Sequence, residues 1–220
     1  MPSLNTAQPD VLSDFTRKPE RRGDRELLDE ILDSTPVGVL STVVDGWPWS
    51  VPMLFARDGD HILLHGSTGA GALRQVAAGA PVSFTVFLLD GIVVADTLFD
   101  HSANYRSAVV RGRLETVVDD PIRTLEVLSD KLIPDRVKET PAITRKEQAA
   151  TLTLRLPIVD GEWLVKARSG GPGVETDVWT GVVPVRTVYD EPITYTGSAE
   201  YVPESVLRLR RDVSDVGSGA

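Results

Sequence analysis

The side chains best equipped to bind or react with a polar ligand crowd into one short run. HSANYRS, from His101 to Ser107, brings an imidazole, two serine hydroxyls, a carboxamide, a phenol and a guanidinium together just ahead of the apolar pair Val109-Val110. An unpartnered polar group buried in a strand costs about 1–3 kcal/mol, so the run is either a solvated loop or the lining of a site for something polar. A second run, HGSTGAGALR from His65 to Arg74, sets three glycines and the hydroxyls of Ser67 and Thr68 between a strand-like and a helix-like segment. Backbone N–H groups exposed in such a loop favour an anion, and Arg74, one helical turn on, would add a cation for a phosphate. The alternative is an ordinary strand-to-helix loop. A third run, from Lys166 to Pro184, places Lys166 and Arg168 at a strand end, then a glycine-rich loop, then Trp179. That tryptophan either plugs a core or stacks on a flat heteroaromatic ring.

Other chemistries lack their residues. Gly66 and Gly71 have P-loop spacing, but Ala72-Leu73 stand where Lys-Ser/Thr belongs and the run is not GxGxxG, which argues against triphosphate hydrolysis and a Rossmann site. The histidines His61, His65 and His101 show neither HxH nor HExxH spacing, and with no cysteine in the chain no metal site is expected. GxSxG is absent, so serine hydrolase chemistry has no support. A net charge of −9, with only the short basic clusters Arg17-Lys18, Arg21-Arg22 and Arg208 to Arg211, offers little to nucleic acid or an anionic membrane. The longest apolar stretch, PVSFTVFLLDGIVVA, is interrupted by Asp90-Gly91, and the polar MPSLNTAQPD start lacks the order of a signal peptide. A cytoplasmic protein acting on a small molecule, with no nucleic-acid or membrane partner, is the expectation.

The elements that must position these groups are mostly strands. Asp45-Gly46, Asp58-Gly59, Asp90-Gly91 and Asp160-Gly161 each separate apolar or alternating runs, and Asp-Gly tolerates the positive φ of tight hairpin turns. Strands are therefore expected at 37–44, 47–57, 61–65, 82–89, 92–99, 105–118, 151–159 and 162–167, an antiparallel meander that closes into a barrel. Leu27, Leu28, Ile31 and Leu32 form a helical stripe after Asp24, a capping residue, and Ile122, Leu125, Leu128 and Leu132 form another after Asp120-Pro121. A short helix is expected from Gly71 to Ala78. With 220 residues, 41% of them hydrophobic, one core suffices. Residues 1–20 are expected to be a flexible segment, 21–190 the domain, and 191–220 an extension whose end, after Pro203, is mobile.

Taken together, PERRGDRELLDEILD, VGVLSTVVDGWPWSVP, LLHGSTGAGALR, LLDGIVVADTLFDHSANYRSAVVRG, KARSGGP and VWTGVVP resemble the FMN-binding split barrels related to pyridoxamine 5′-phosphate oxidase, in the branch of nitroimidazole-reductase-like flavoproteins. The resemblance implies a mainly β fold with a few helices, an antiparallel split β-barrel, and FMN as cofactor. It implies that the phosphate is held by His65, Gly66, Ser67, Thr68 and Arg74, that the ring lies along Leu40, Ser41 and Thr42, and that Tyr105, Arg106 and Ser107 complete the pocket. Lys166, Arg168 and Trp179 match a segment that approaches the flavin, often from a second subunit, so a homodimer with shared sites is implied. The function implied is a flavin-dependent oxidoreductase passing electrons between a nicotinamide or other donor and a small organic substrate, with His65 or Tyr105 as a proton donor. The alternatives are the same fold carrying a deazaflavin or haem, with His65 as haem ligand, or a flavin-binding protein without turnover.

Overall fold

The computed structural model describes residue 12 and residues 18–69, 71–173, 176–197 and 201–214. Nine strands form one antiparallel sheet: β1 (Val37–Val44), β2 (Trp47–Asp58), β3 (His61–Ser67), β4 (Pro81–Val94), β5 (Ser102–Arg113), β6 (Glu115–Thr116), β7 (Thr151–Pro157), β8 (Trp163–Arg168) and β9 (Gly181–Pro184). Their hydrogen-bonded order is β6-β7-β3-β2-β1-β4-β5-β8, with β9 on β4. The sheet curls into a half-barrel, the split-barrel form expected from the sequence. Its order departs from a meander, because the chain leaves β3 through a helix and returns on the far side of β1.

Five helices accompany the sheet among the described residues: α1 (Arg25–Ser34), α2 (Gly71–Ala77), α3 (Pro121–Leu132), α4 (Arg145–Ala150) and α5 (Glu204–Ser214). Asp24 caps α1 by accepting from Leu27 N at 3.1 Å, and Asp120 caps α3 by accepting from Arg123 N at 3.1 Å. The stripe on α1 delivers Leu28, Ile31 and Leu32, all fully buried, into a core made by Leu40, Phe55, Ile62, Leu64, Phe84, Val110, Leu154 and Leu156 of the strands. Burying such side chains, at about 1.5–3 kcal/mol each, is what closes the curled sheet around α1. After Pro203 the described residues form α5, and the hydroxyl and backbone N–H of buried Ser205 both reach Glu139, at 2.5 and 3.3 Å. The expectations of flexible ends fall largely on residues 1–11, 13–17 and 215–220, which lie outside the described residues.

Three of the four Asp-Gly pairs turn as expected, with positive φ at Asp45 and Gly46, at Gly59 and at Gly161. Asp90-Gly91 does not. β4 runs through it as one strand, with a β-bulge between Leu89 and Gly91. The bulge survives because both sides of the kink are paired: β1 lies beside residues 83–85 of β4 and β9 beside residues 91–94 on the continuation of that edge. No helix among the described residues is long and apolar enough to cross a membrane.

Candidate cofactor sites

Alternation along β4, β5 and β8 sorts the predicted site residues into two faces. Tyr105 stands opposite Arg168 and Ser107 opposite Lys166, while across the other edge Tyr105 faces Leu89 and Ser107 faces Phe87. Phe87 is 60% exposed and stacks on Tyr105 with ring centroids 6.0 Å apart and planes 28° apart. An aromatic platform flanked by the Ser107 hydroxyl and Lys166 therefore lies on the outer face, while Arg168, opposite Tyr105 in register, donates Nη1 to the Oδ1 of buried Asn104 at 2.7 Å. Sequence reasoning missed Phe87, whose signal was its odd position in an alternating strand. Arg106 points the other way, toward α1. It donates Nε and Nη2 to Asp90 at 3.1 and 2.8 Å and Nη1 to Glu30 at 2.6 Å, which raise its pKa further, the Asp90 hydrogen bond most.

The β1 residues divide in the same way. Leu40 is fully buried and Thr42 donates its hydroxyl to Pro81 O at 2.8 Å, so both face the core. Ser41 shares a 2.8 Å hydrogen bond with Ser50 on the outer face. Trp179 is 67% exposed and lies over Gly181, where an added Cβ would come within 2.9 Å of its ring. Beside it, Thr176 N donates to Asp96 at 2.7 Å, tying the 176–180 segment to the end of β4.

The glycine-rich loop is built differently from a ready anion cradle. Ser67 Oγ accepts from Gly69 N at 3.2 Å, and Thr68 donates both its N–H and its hydroxyl to Ala150 O, at 3.2 and 3.3 Å. Arg74 projects from α2 and is exposed. Gly66 has a packing reason: a Cβ there would fall 2.5 Å from Leu73 Cδ2. In the sheet order β2, β1 and β4 separate this loop's strand β3 from β5, so the structure does not join the loop and the aromatic platform through neighbouring strands.

Where β2 and β3 part, a second site opens. β2 pairs with β1 along Trp47–Leu54 but with β3 only along Phe55–Asp58, while β3 continues beside β7 as far as Ser67. The wedge between them is a cleft of ≈ 370 Å³ lined by Trp49, Val51, Pro52, Met53, Leu54, Leu73 and His65. Its lining is apolar apart from the imidazole. His65 Nδ1 is buried without a hydrogen-bond partner, and burial holds the ring's pKa below the ordinary histidine value. A neutral imidazole with an unused nitrogen in an apolar cleft suits an iron porphyrin, whose apolar edges need such walls and whose iron takes an axial histidine. Among the described residues no cluster of three or more His, Asp or Glu side chains is placed to hold a metal ion.

Comparison with known proteins decides the family. The profile described as pyridoxamine 5′-phosphate oxidase matches residues 24–162. The chain belongs to the pyridoxamine 5′-phosphate oxidase family. Within that family it is similar to the FAD and haem binding protein from Mycobacterium smegmatis, with 40% identity and a TM-score of 0.83, covering 86% of this chain and 97% of that one. It is also similar to the flavocytochrome Anf3 from Azotobacter vinelandii, with 29% identity and a TM-score of 0.79, covering 89% and 94%. A Bacteroides thetaiotaomicron protein proposed to act in 5-nitroimidazole antibiotic resistance shares the fold, with 20% identity, a TM-score of 0.55, and 65% and 83% covered. A search of curated proteins finds no match.

Proposed function

We propose that this member of the pyridoxamine 5′-phosphate oxidase family is a flavin-binding redox protein that also carries haem. The observation that carries the reading is His65, neutral and with an orphaned nitrogen, in the apolar cleft where β2 and β3 separate. The flavin is assigned to the outer face of β4, β5 and β8 and taken to be FAD, the form named for the Mycobacterium smegmatis relative, where the sequence alone led to FMN. When bound, a flavin supplies two-electron hydride chemistry and a haem single-electron transfer.

The chain's own residues hold and tune these groups. Phe87 and Tyr105 offer the stacking surface, Ser107 a hydroxyl, and Lys166 positive charge beside it, with Arg168 at the same strand end. Trp49, Val51, Met53 and Leu73 line the cleft with apolar surface, and His65 would supply the imidazole that ligates a haem iron there. The Ser67–Arg74 loop, which β2, β1 and β4 separate from the platform, is assigned to a flavin held mainly by a second copy. A dimer is supported too by exposed Val37, Val43, Leu54, Phe87 and Leu89; Val37 and Leu54 stand opposite each other on that outer face. Sedimentation is expected to give a dimer, and a flavin-loaded monomer would contradict it. The redox role is tested by loading the protein with FAD and adding NADPH without oxygen. Bleaching of the flavin band is the expected result; a bound flavin that neither NADPH nor dithionite reduces would overturn the redox reading and leave a storage role.

A further inference from the structure

Antiparallel pairing sends the N–H and C=O of one residue to the same edge of its strand and those of the next residue to the other edge. Phe55 N donates to Pro36 O at 2.9 Å, so the odd-numbered residues of β2 address β1, and the even-numbered Pro48, Ser50, Pro52 and Leu54 address the wedge. Both prolines of β2 thus stand where a missing N–H costs the β1–β2 ladder nothing. Their effect falls on the other edge. β2 and β3 pair from Asp58–His61 to Phe55–Leu64. Carried on in the same register, the next couple able to exchange two hydrogen bonds would be Leu54 with His65, and the one after it Pro52 with Ser67. Pro52 has no N–H for the Ser67 carbonyl, and its ring would stand against that oxygen. β3 meanwhile stays beside β7 as far as Ser67–Thr151, and Thr68 donates its N–H and hydroxyl to Ala150 O, so the end of β3 is held on the side away from β2.

We propose that Pro52 is a positioning residue that keeps β2 and β3 apart and so keeps the His65 cleft open to its ligand. The inference rests on reading the cleft as the haem site. Pro52, Met53 and Leu54 line it from β2 and His65 from β3, so the cleft is the space that the two strands leave by diverging. Continued pairing would bring the backbones to the ordinary strand spacing of about 4.7–4.9 Å, with no room for a flat ring between them. Each backbone hydrogen bond gained by closing shifts the balance between closed and open forms by about two- to tenfold, and a ligand that binds only the open form loses affinity in proportion.

The test uses the full chain with Pro52→Ala and Pro52→Val. Both restore an N–H at this position, and valine also keeps apolar bulk and suits a strand. In the apo protein, exchange of the Leu54 and Ser67 amides, followed by NMR, is expected to slow about tenfold in both variants, and haemin affinity, read from a Soret titration, to fall about tenfold in both. If thermal melts show that one variant does not fold, the other carries the test. Unchanged amide exchange overturns the proposal while leaving the haem reading intact. So does haemin binding that valine keeps and alanine loses, which would make Pro52 only a piece of apolar wall. Slowed exchange that comes with larger species in sedimentation would mean that the β2 edge pairs with a second copy, and overturns it too. Wild-type protein that takes up no haemin overturns the haem reading, and the exchange rates then decide alone whether Pro52 holds the strands apart.

Discussion

Replacing Arg106 with alanine separates the two faces of β5. The arginine gives a two-pronged contact to Asp90 and a single one to Glu30. The Asp90 side chain is 34% exposed and that of Glu30 58%, so water screens the second contact more than the first. A bidentate arginine–carboxylate pair at that depth contributes about 1–1.5 kcal/mol and an exposed one about 0.5 kcal/mol. Their sum, about 2 kcal/mol, corresponds to a fall in Tm of about 4–8 °C for a domain of this size. FAD affinity should change by less than about twofold, the tolerance for a site that shares no partner with the mutation. Differential scanning fluorimetry of the apo protein and a fluorescence titration with FAD check the two halves. An unchanged Tm together with a tenfold weaker FAD complex would show that Arg106 serves the cofactor, and the face assignment would fall.

Two further changes probe the scaffold and the cleft. Gly38→Ala would put a Cβ 2.3 and 2.5 Å from the Phe84 ring, which packs edge-on against Phe55 at 4.9 Å; a loss of about 1–3 kcal/mol is expected from urea unfolding. His65 has a lowered pKa in the folded state, so below about pH 6.5 the unfolded chain binds a proton that the folded chain refuses. Apo-protein stability should therefore fall as pH drops from about 6.5 toward that lower value, and His65→Leu should flatten this part of the urea-midpoint profile.

The alternating and turn-bounded segments were legible because their signals are local. β1 runs from Val37 to Val44 as expected, and the Asp45-Gly46 turn follows from the two residues that make it. Asp90-Gly91 carries the same local signal but becomes a bulge, because pairing with β9 some 90 residues away decides it. The crossover that sets β1 beside β4 is equally long-range. In the site, Val109-Val110 is apolar at both positions, so the sequence did not reveal which parity of β5 faces the core. Burial of Ala108 and Val110 settles that even-numbered residues do, which turns Arg106 inward and Tyr105 outward. Asn104 had no signal of its own beyond being polar, since its partners, Arg168 at the end of β8 and Gly170 just after it, lie more than sixty residues away.

The central claim, a haem held by His65 alongside a flavin, is tested most directly by absorption spectra of wild-type and His65→Leu protein reconstituted with FAD and haemin and freed of excess. Wild type is expected to show flavin bands and a Soret band, and His65→Leu the flavin bands with the Soret band lost or moved to that of free haemin. A Soret band retained unchanged in His65→Leu, or a wild-type protein that takes up no haemin, would contradict the account.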